Sequence, residues 1–329
     1  MNLEFPWLAD PWSRVARALE ADRMPAGLLI LGRPGLGRMQ FAYAVARARL
    51  CLQPLPDASA CGKCASCRQA DAGAHPDLLT VQPEEDKKLI SVDQIRELTP
   101  ALALTAGNQG ARCAVIFPAE CLTGAAANAL LKTLEEPQAG VTVILVADSA
   151  HNLPATVISR CLRLPVSPPP AEQALDWLAN RSQRADWPLL LALAGGAPLA
   201  AERLAEELGD DVANRLQTLI AAAARRADPI AVADGFSKWP LARFANLIGW
   251  LAYALLRTSA GDVAPDASWP RAIAAAAAHA DARRLSFAWR EANRQANDVV
   301  SLNPALARER LVLLFVNAFE RRKARSTPA

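Results

Sequence analysis

No stretch of this sequence is both long enough and apolar enough to cross a bilayer. The most suggestive run, residues 244–256, lies between Arg243 and Arg257. It is shorter than the roughly 18 residues a spanning helix needs, so it reads as a buried helix. An excess of one charge is also missing, since 36 Lys and Arg stand against 33 Asp and Glu for a formal net charge of +3. That balance excludes a chain-wide electrostatic footprint for nucleic acid, and any DNA contact is expected to be local or shared. The first ten residues carry Glu4 and Pro6 where a signal peptide would have a basic and then an apolar segment. A cytoplasmic location, with no membrane partner, is therefore expected. No internal repeat is visible.

What is present is the composition of a globular protein. With 329 residues, 52% of them hydrophobic and 21% charged, the chain can bury real cores, and two or three domains are expected. Seven cysteines, an odd number without a secretory signal, point to a reducing compartment. Clustered cysteines there are candidates for metal binding.

Short apolar runs at Gly27–Leu31, Leu78–Val81, 113–117 and 141–146 alternate with helical segments, the pattern of a parallel α/β sheet. Ser91 with Gln94 reads as a capping box, and Thr123 as the cap of a helix that carries Leu130, Leu131 and Leu134 until Pro137 stops it. After Val166 the run Ser167-Pro168-Pro169-Pro170 marks a domain boundary. Everything beyond it reads as helix, with a break at Gly195-Gly196-Ala197-Pro198. Leu241, Phe244, Ile248, Leu251 and Leu255 repeat at helical spacing. Asn303-Pro304 opens a terminal helix expected to reach about Arg321, with a frayed tail from Arg322 onward. The expected domains are 1–166, 167–208 and 209–329.

Gly32-Arg33-Pro34-Gly35-Leu36-Gly37-Arg38-Met39 has the glycine spacing of a phosphate-binding loop, placed between a strand and a helix. The chemistry of such a loop is missing. Arg38 stands where the phosphate-contacting lysine belongs, and Met39 where a Ser or Thr would ligate magnesium; a thioether does not replace a hard oxygen ligand. The alternative is that the glycines only make a tight turn. The strand that begins at Cys113 then runs into Phe117-Pro118, with Glu120 the first acid, where an active site of this kind needs carboxylates for metal and water. Two losses at separate motifs indicate a retired ATP site.

Two strings carry a family resemblance: Asn128-Ala129-Leu130-Leu131-Lys132-Thr133-Leu134-Glu135-Glu136-Pro137 and Ser159-Arg160-Cys161. Together they resemble the bacterial clamp-loader AAA+ subunits, the gamma/tau ATPases and their delta-prime relative. Since gamma/tau members keep an intact loop and an Asp-Glu pair, the resemblance falls on the delta-prime branch. It implies an AAA+ P-loop-type parallel sheet domain with a zinc insertion, then a small helical lid, then an all-α collar domain. In the lid, Leu199 occupies the place of a nucleotide-sensing arginine.

The resemblance further implies a five-membered ring with gamma/tau and delta subunits of DNA polymerase III, which opens the sliding clamp and closes it on primed DNA. Arg160 would project into the ATP site of a neighbouring gamma/tau subunit and stabilise charge on the transferred phosphoryl group. By itself Arg160 also reads as a surface ion pair. Lys132, Glu135 and Glu136 read as structural or interface residues.

Cys61, Cys64 and Cys67, with Cys51 upstream, supply four thiolates that suit tetrahedral zinc with no open position. An iron–sulfur run would need a further Cys-Pro, which does not follow. His75 is an alternative ligand to Cys51, though His75-Pro76-Asp77 also reads as a turn into the next strand. The resemblance implies a zinc module at this place, about 51–67. Cys113, Cys121 and Cys161 read as small apolar packing residues. The rival functions are a self-sufficient ATPase using Arg38, a redox or iron–sulfur protein, and a zinc-dependent DNA binder.

Overall fold

The computed structural model describes residues 5–104, 110–209, 212–224, 227–260, 277–297 and 303–319. Contacts divide the chain into two compact units, Met1–Pro169 and Pro170–Ala329.

The first unit is a five-stranded parallel sheet. Its strands are β1 (Gly27–Leu31), β2 (Leu78–Val81), β3 (Arg112–Ile116), β4 (Val141–Ala147) and β5 (Leu162–Pro165), in the order β2-β3-β4-β1-β5. Parallel strands need crossover connections, and helices supply them: α1 (Ala9–Glu20) precedes the sheet, followed by α2 (Arg38–Leu50), α3 (Ala65–Asp71), α4 (Val92–Ala103), α5 (Gly124–Glu135) and α6 (Ala155–Ile158). Helices on both faces explain why β4 is buried along its whole length, and why it reads as a continuous apolar run with no alternation. This strand order, with a glycine loop leading from β1 into α2, is that of an AAA+ domain.

The local signals behave as their chemistry requires. Ser91 accepts from the backbone N–H of Gln94 at 3.4 Å while Gln94 Oε1 accepts from the N–H of Ser91 at 2.9 Å, a reciprocal capping box. Thr123 caps α5 through Ala126. One strand, β5, was not anticipated from the sequence. It pairs with β1 at the sheet edge, and Leu162 and Arg163 are exposed while Leu164 is buried. So short an edge strand, half in water, carries neither a continuous apolar run nor a clean alternation.

Among its described residues the second unit is entirely helical: α7 (Ala171–Arg181), α8 (Trp187–Leu193), α9 (Pro198–Leu208), α10 (Val212–Ala223), α11 (Pro229–Asp234), α12 (Leu241–Ser259), then helices Ala282–Asn297 and Pro304–Asn317. On α12 the residues Phe244, Leu247, Ile248, Leu251 and Leu255 are fully buried, and the helix packs against the two that follow it. The apolar run at 244–256 is thus a core helix. Asn303 caps the terminal helix through Ala305 and Leu306; the helix ends at Asn317, short of the expected Arg321, because Ala318 turns back to the carbonyls of Phe315 and Val316, and the tail from Arg322 lies outside the described residues. Among the described residues no single helix is long and apolar enough to cross a membrane.

Candidate functional site

The loop after β1 is packed from within. Gly37 caps α2 with φ of 77°, a left-handed conformation that glycine adopts without penalty. A Cβ there would also sit 2.6 Å from a ring carbon of Phe5. Phe5 stacks on Trp7 at 5.4 Å, and the Trp7 indole N–H donates to the carbonyl of Leu36 at 2.9 Å. At the start of the loop, a Cβ on Gly32 would meet the carbonyl oxygen of Val166 at 2.4 Å and Cδ of Arg38 at 3.3 Å. The Arg38 side chain therefore folds back across the loop.

There Arg38 is 6% exposed and makes an ion pair with Asp148, just beyond β4, at 2.5 Å. A lysine in an active loop offers its charge to a bound phosphate; this arginine offers it to the protein's own carboxylate. Glu120, the first acid after β3, is also engaged, its Oε1 accepting from the backbone N–H of Asp148 at 3.1 Å. Phe117 and Pro118, which follow β3, carry no side-chain oxygen for a metal.

The two clamp-loader-like strings converge on β1. Gly27 has no room for a side chain: a Cβ would lie 2.9 Å from Cys161 Sγ, 2.9 Å from a methyl of Leu134 and 3.1 Å from the carbonyl of Arg160. The Ser159-Arg160-Cys161 turn and the end of α5 are thereby seated on the first residue of β1. Cys161 faces inward, and burial pushes its thiol up to about 11. Arg160 faces outward. It donates to the carbonyl of Thr156 at 2.8 Å and pairs with Glu135 at 2.5 Å. Thus Glu135 holds the arginine, a role that the helical spacing of the motif did not reveal.

The four cysteines singled out from the sequence are brought together. The sulfurs of Cys51, Cys61, Cys64 and Cys67 all lie within 4.8 Å of one another, with separations of 4.0 Å for Cys51–Cys64, 4.0 Å for Cys61–Cys67 and 3.7 Å for Cys51–Cys67. A tetrahedron of thiolates at the usual Zn–S distance of about 2.3 Å has edges of about 3.8 Å, so the set fits zinc closely. Backbone amides point at the sulfurs: Cys61 N–H at Cys51, Lys63 and Cys64 N–H at Cys61, and Cys67 N–H at Cys64.

Such donors favour thiolate. Those of Lys63 and Cys64 lower the Cys61 thiol. At Cys64 burial acts upward, but the amides of Cys67 and Leu52 and the neighbouring thiols outweigh it and bring the group down to about 6. Burial raises Cys51 and takes Cys67 up to about 12. A bound cation removes that burial cost by compensating the charge, which makes this donor set suitable for a metal.

His75 is not among the ligands. It is 5% exposed, its Nε2 faces Ser66 Oγ at 3.0 Å and its Nδ1 accepts from the N–H of Asp77 at 3.0 Å. Of the remaining cysteines, Cys113 is fully buried and pushed up to about 12 by burial. Cys121 and Cys161 pack against the core of the sheet. A buried ion pair escaped the sequence reading: Asp77 and Arg112, 2% and 9% exposed, meet at 3.0 Å between the start of β3 and the residue before β2.

A family model described as DNA polymerase III, delta subunit, matches residues 8–170. The DNA polymerase III subunit delta' of Escherichia coli (strain K12) is 40% identical over 199 residues, 60% of this chain and 59% of that protein. That of Haemophilus influenzae is 34% identical over 254 residues, 76% of this chain and 76% of that protein. With the relatives from Escherichia coli, Pseudomonas aeruginosa and Yersinia pestis the match spans 59%, 61% and 61% of their lengths. Among solved structures, a DNA polymerase III gamma subunit-related protein from Thermotoga maritima covers 94% of this chain and 100% of its own, at 16% identity and a TM-score of 0.48. With the match to the Haemophilus influenzae protein extending over most of both chains, this chain belongs to the family of DNA polymerase III delta' subunits.

Proposed function

We propose that this chain is a non-hydrolysing subunit of a DNA polymerase III clamp loader, a fixed element that helps to load the sliding clamp onto primed DNA. The observation that carries this reading is the Arg38–Asp148 pair inside the glycine loop. A loop whose Arg38 pairs with the protein's own Asp148 and which has Met39 in place of a metal-ligating hydroxyl, in a domain where Phe117-Pro118 follow β3 in place of carboxylates, has no means of holding magnesium and ATP for reaction.

The partners are gamma/tau subunits, which supply the ATP turnover, and a delta subunit. Arg160 acts in trans. Its guanidinium sits on the surface, tethered only by Glu135 and local acceptors, so it is free to reach a phosphate bound by a neighbour. A planar fork with fixed charge suits the equatorial oxygens of a transferring phosphoryl group. Residues 167–208 serve as the lid and 209–329 as the collar through which subunits assemble.

Cys51, Cys61, Cys64 and Cys67 hold one structural zinc. When bound, the ion supplies cross-linking and charge compensation only, because four protein thiolates leave no open position. The rest of the module's work falls to the chain: α3 orients Cys67 and is capped by Cys64, and the end of α2 presents Cys51.

The test is reconstitution. The chain should co-purify with gamma/tau and delta subunits, and DNA-stimulated ATP hydrolysis and clamp loading should require it, while the isolated chain hydrolyses nothing. Full clamp loading by gamma/tau and delta alone, or magnesium-dependent turnover by the isolated chain, would defeat the proposal.

A further inference from the structure

A continuous set of buried hydrogen bonds leads from the cysteine cluster into the sheet. Ser66, 1% exposed, lies on α3 beside Cys67. Its hydroxyl is 2.6 Å from the carbonyl of Leu50, the residue before Cys51. A carbonyl only accepts, so the single hydroxyl proton of Ser66 is committed to Leu50. Toward the Nε2 of His75, 3.0 Å away, the same oxygen must then accept, and the imidazole must donate.

The other side of the ring gives the same answer independently. Nδ1 of His75 lies 3.0 Å from the backbone N–H of Asp77, a group that only donates, so Nδ1 carries no proton. Both bonds select one neutral tautomer, protonated at Nε2. Beyond it, the carbonyl of Asp77 accepts from the N–H of Cys113 on β3 at 2.9 Å. The Asp77 carboxylate is fixed by buried Arg112, which also donates to the carbonyl of Ala101 near the end of α4.

These bonds join three separate pieces of the chain, the end of α2, α3 and the start of the sheet. Ser66 sits between Cys64 and Cys67, and Leu50 adjoins Cys51. We propose that His75 is the positioning residue of the four-cysteine site: as the Nε2–H tautomer it ties the helix bearing Cys64 and Cys67, through Ser66, to the helix end bearing Cys51 and to the sheet at Asp77, and so sets how tightly the site retains its metal. The inference rests on the reading of that site as a zinc site. Partners of this kind, outside the ligand shell, are worth about 10- to 100-fold in metal affinity.

The experiment uses the full-length zinc-loaded protein. Metal release to a chromophoric chelator is followed for the parent and for His75→Ala, Ser66→Ala and His75→Gln. The two alanine variants should lose zinc about 10- to 100-fold more readily. His75→Gln should stay close to the parent, because its side-chain amide places a donor near the position of Nε2; a role in bulk packing alone would not be rescued this way. On the parent protein, long-range proton–nitrogen NMR should show Nε2 protonated and Nδ1 bare at neutral pH, a reading that needs no variant to fold. Equal zinc retention by parent and both alanine variants, or a proton on Nδ1, overturns the proposal while leaving the zinc site intact. Absence of zinc from the purified parent defeats the metal reading itself, and this inference with it.

Discussion

Arg160 and Glu135 meet at 2.5 Å on the surface of the α/β unit, with side chains 35% and 47% exposed. The contact links the two family strings, one ending α5 and the other following α6. Exposed pairs of this kind contribute only about 0.2–1 kcal/mol, so the tether orients the arginine without locking it. A neighbouring phosphate can outbid a carboxylate held that weakly.

Arg160→Ala should therefore leave the thermal midpoint of the isolated chain nearly unchanged and open no core cavity. In the reconstituted complex, DNA- and clamp-stimulated ATP hydrolysis should fall, since an arginine finger is worth about 10³ to 10⁵ in rate at the site it serves. The loss for the whole complex will look smaller if other sites still turn over. Arg160→Lys should rescue poorly because a point charge lacks the planar fork. Wild-type turnover and clamp loading with Arg160→Ala would return Arg160 to an ordinary surface residue.

Repairing the glycine loop should not restore hydrolysis. The double variant Arg38→Lys, Met39→Thr supplies the missing phosphate and metal groups of the loop, yet β3 is still followed by Phe117-Pro118 and Glu120 still accepts from the amide of Asp148. Magnesium-dependent ATP hydrolysis by the isolated double variant should match a Gly37→Val control. Turnover clearly above that control would show that the carboxylates are not the limiting loss.

The cysteine cluster should bring about one zinc per chain, measured by elemental analysis of the purified protein. Cys64→Ser should release it and lower the melting temperature, because binding energy at a closed site is folding energy. Acidification should release it too, as thiolates are protonated. Iron with a visible absorbance band would overturn the assignment.

The buried Asp77–Arg112 pair makes an asymmetric prediction. Asp77→Ala strands the Arg112 charge in the interior and should cost about 3–5 kcal/mol, read from the urea midpoint. Asp77→Leu combined with Arg112→Met removes both charges and should cost much less. Equal losses for the two variants would show that packing, not the stranded charge, sets the cost.

His75 gives a pH dependence whose sign follows from its burial. Desolvation pushes its imidazole below the ordinary value of 6.5, with the Asp77 carboxylate pulling the other way. As pH falls, the unfolded chain takes up its proton first. The stability contributed by neutral His75 is thus complete above pH 6.5 and lost as pH drops through the lower folded-state value. At fixed zinc loading, His75→Gln should flatten the pH dependence of the urea midpoint in that window; an unchanged slope would rule out His75 as its source.

Much of this protein was determined by the sequence alone, because the signals involved are local. Caps at Ser91, Thr123 and Asn303 follow from the chemistry of a few adjacent residues. Four strands follow from apolar runs, and the proposal of a retired ATP site from Arg38, Met39 and Phe117-Pro118 standing where other groups are required. The cysteine set was legible for the same reason, since Cys61, Cys64 and Cys67 fall within one short turn of chain. Tertiary structure decided what depends on residues far apart. Arg38 finds Asp148 across 110 positions, β5 becomes a strand only because β1 offers an edge, and Asp77 meets Arg112 because β2 pairs with β3. His75 was legible as a ligand or a turn residue, but only the fold surrounds it with one acceptor and one donor. Local spacing encodes which groups are available, whereas burial and partner choice arise when distant segments exclude water together.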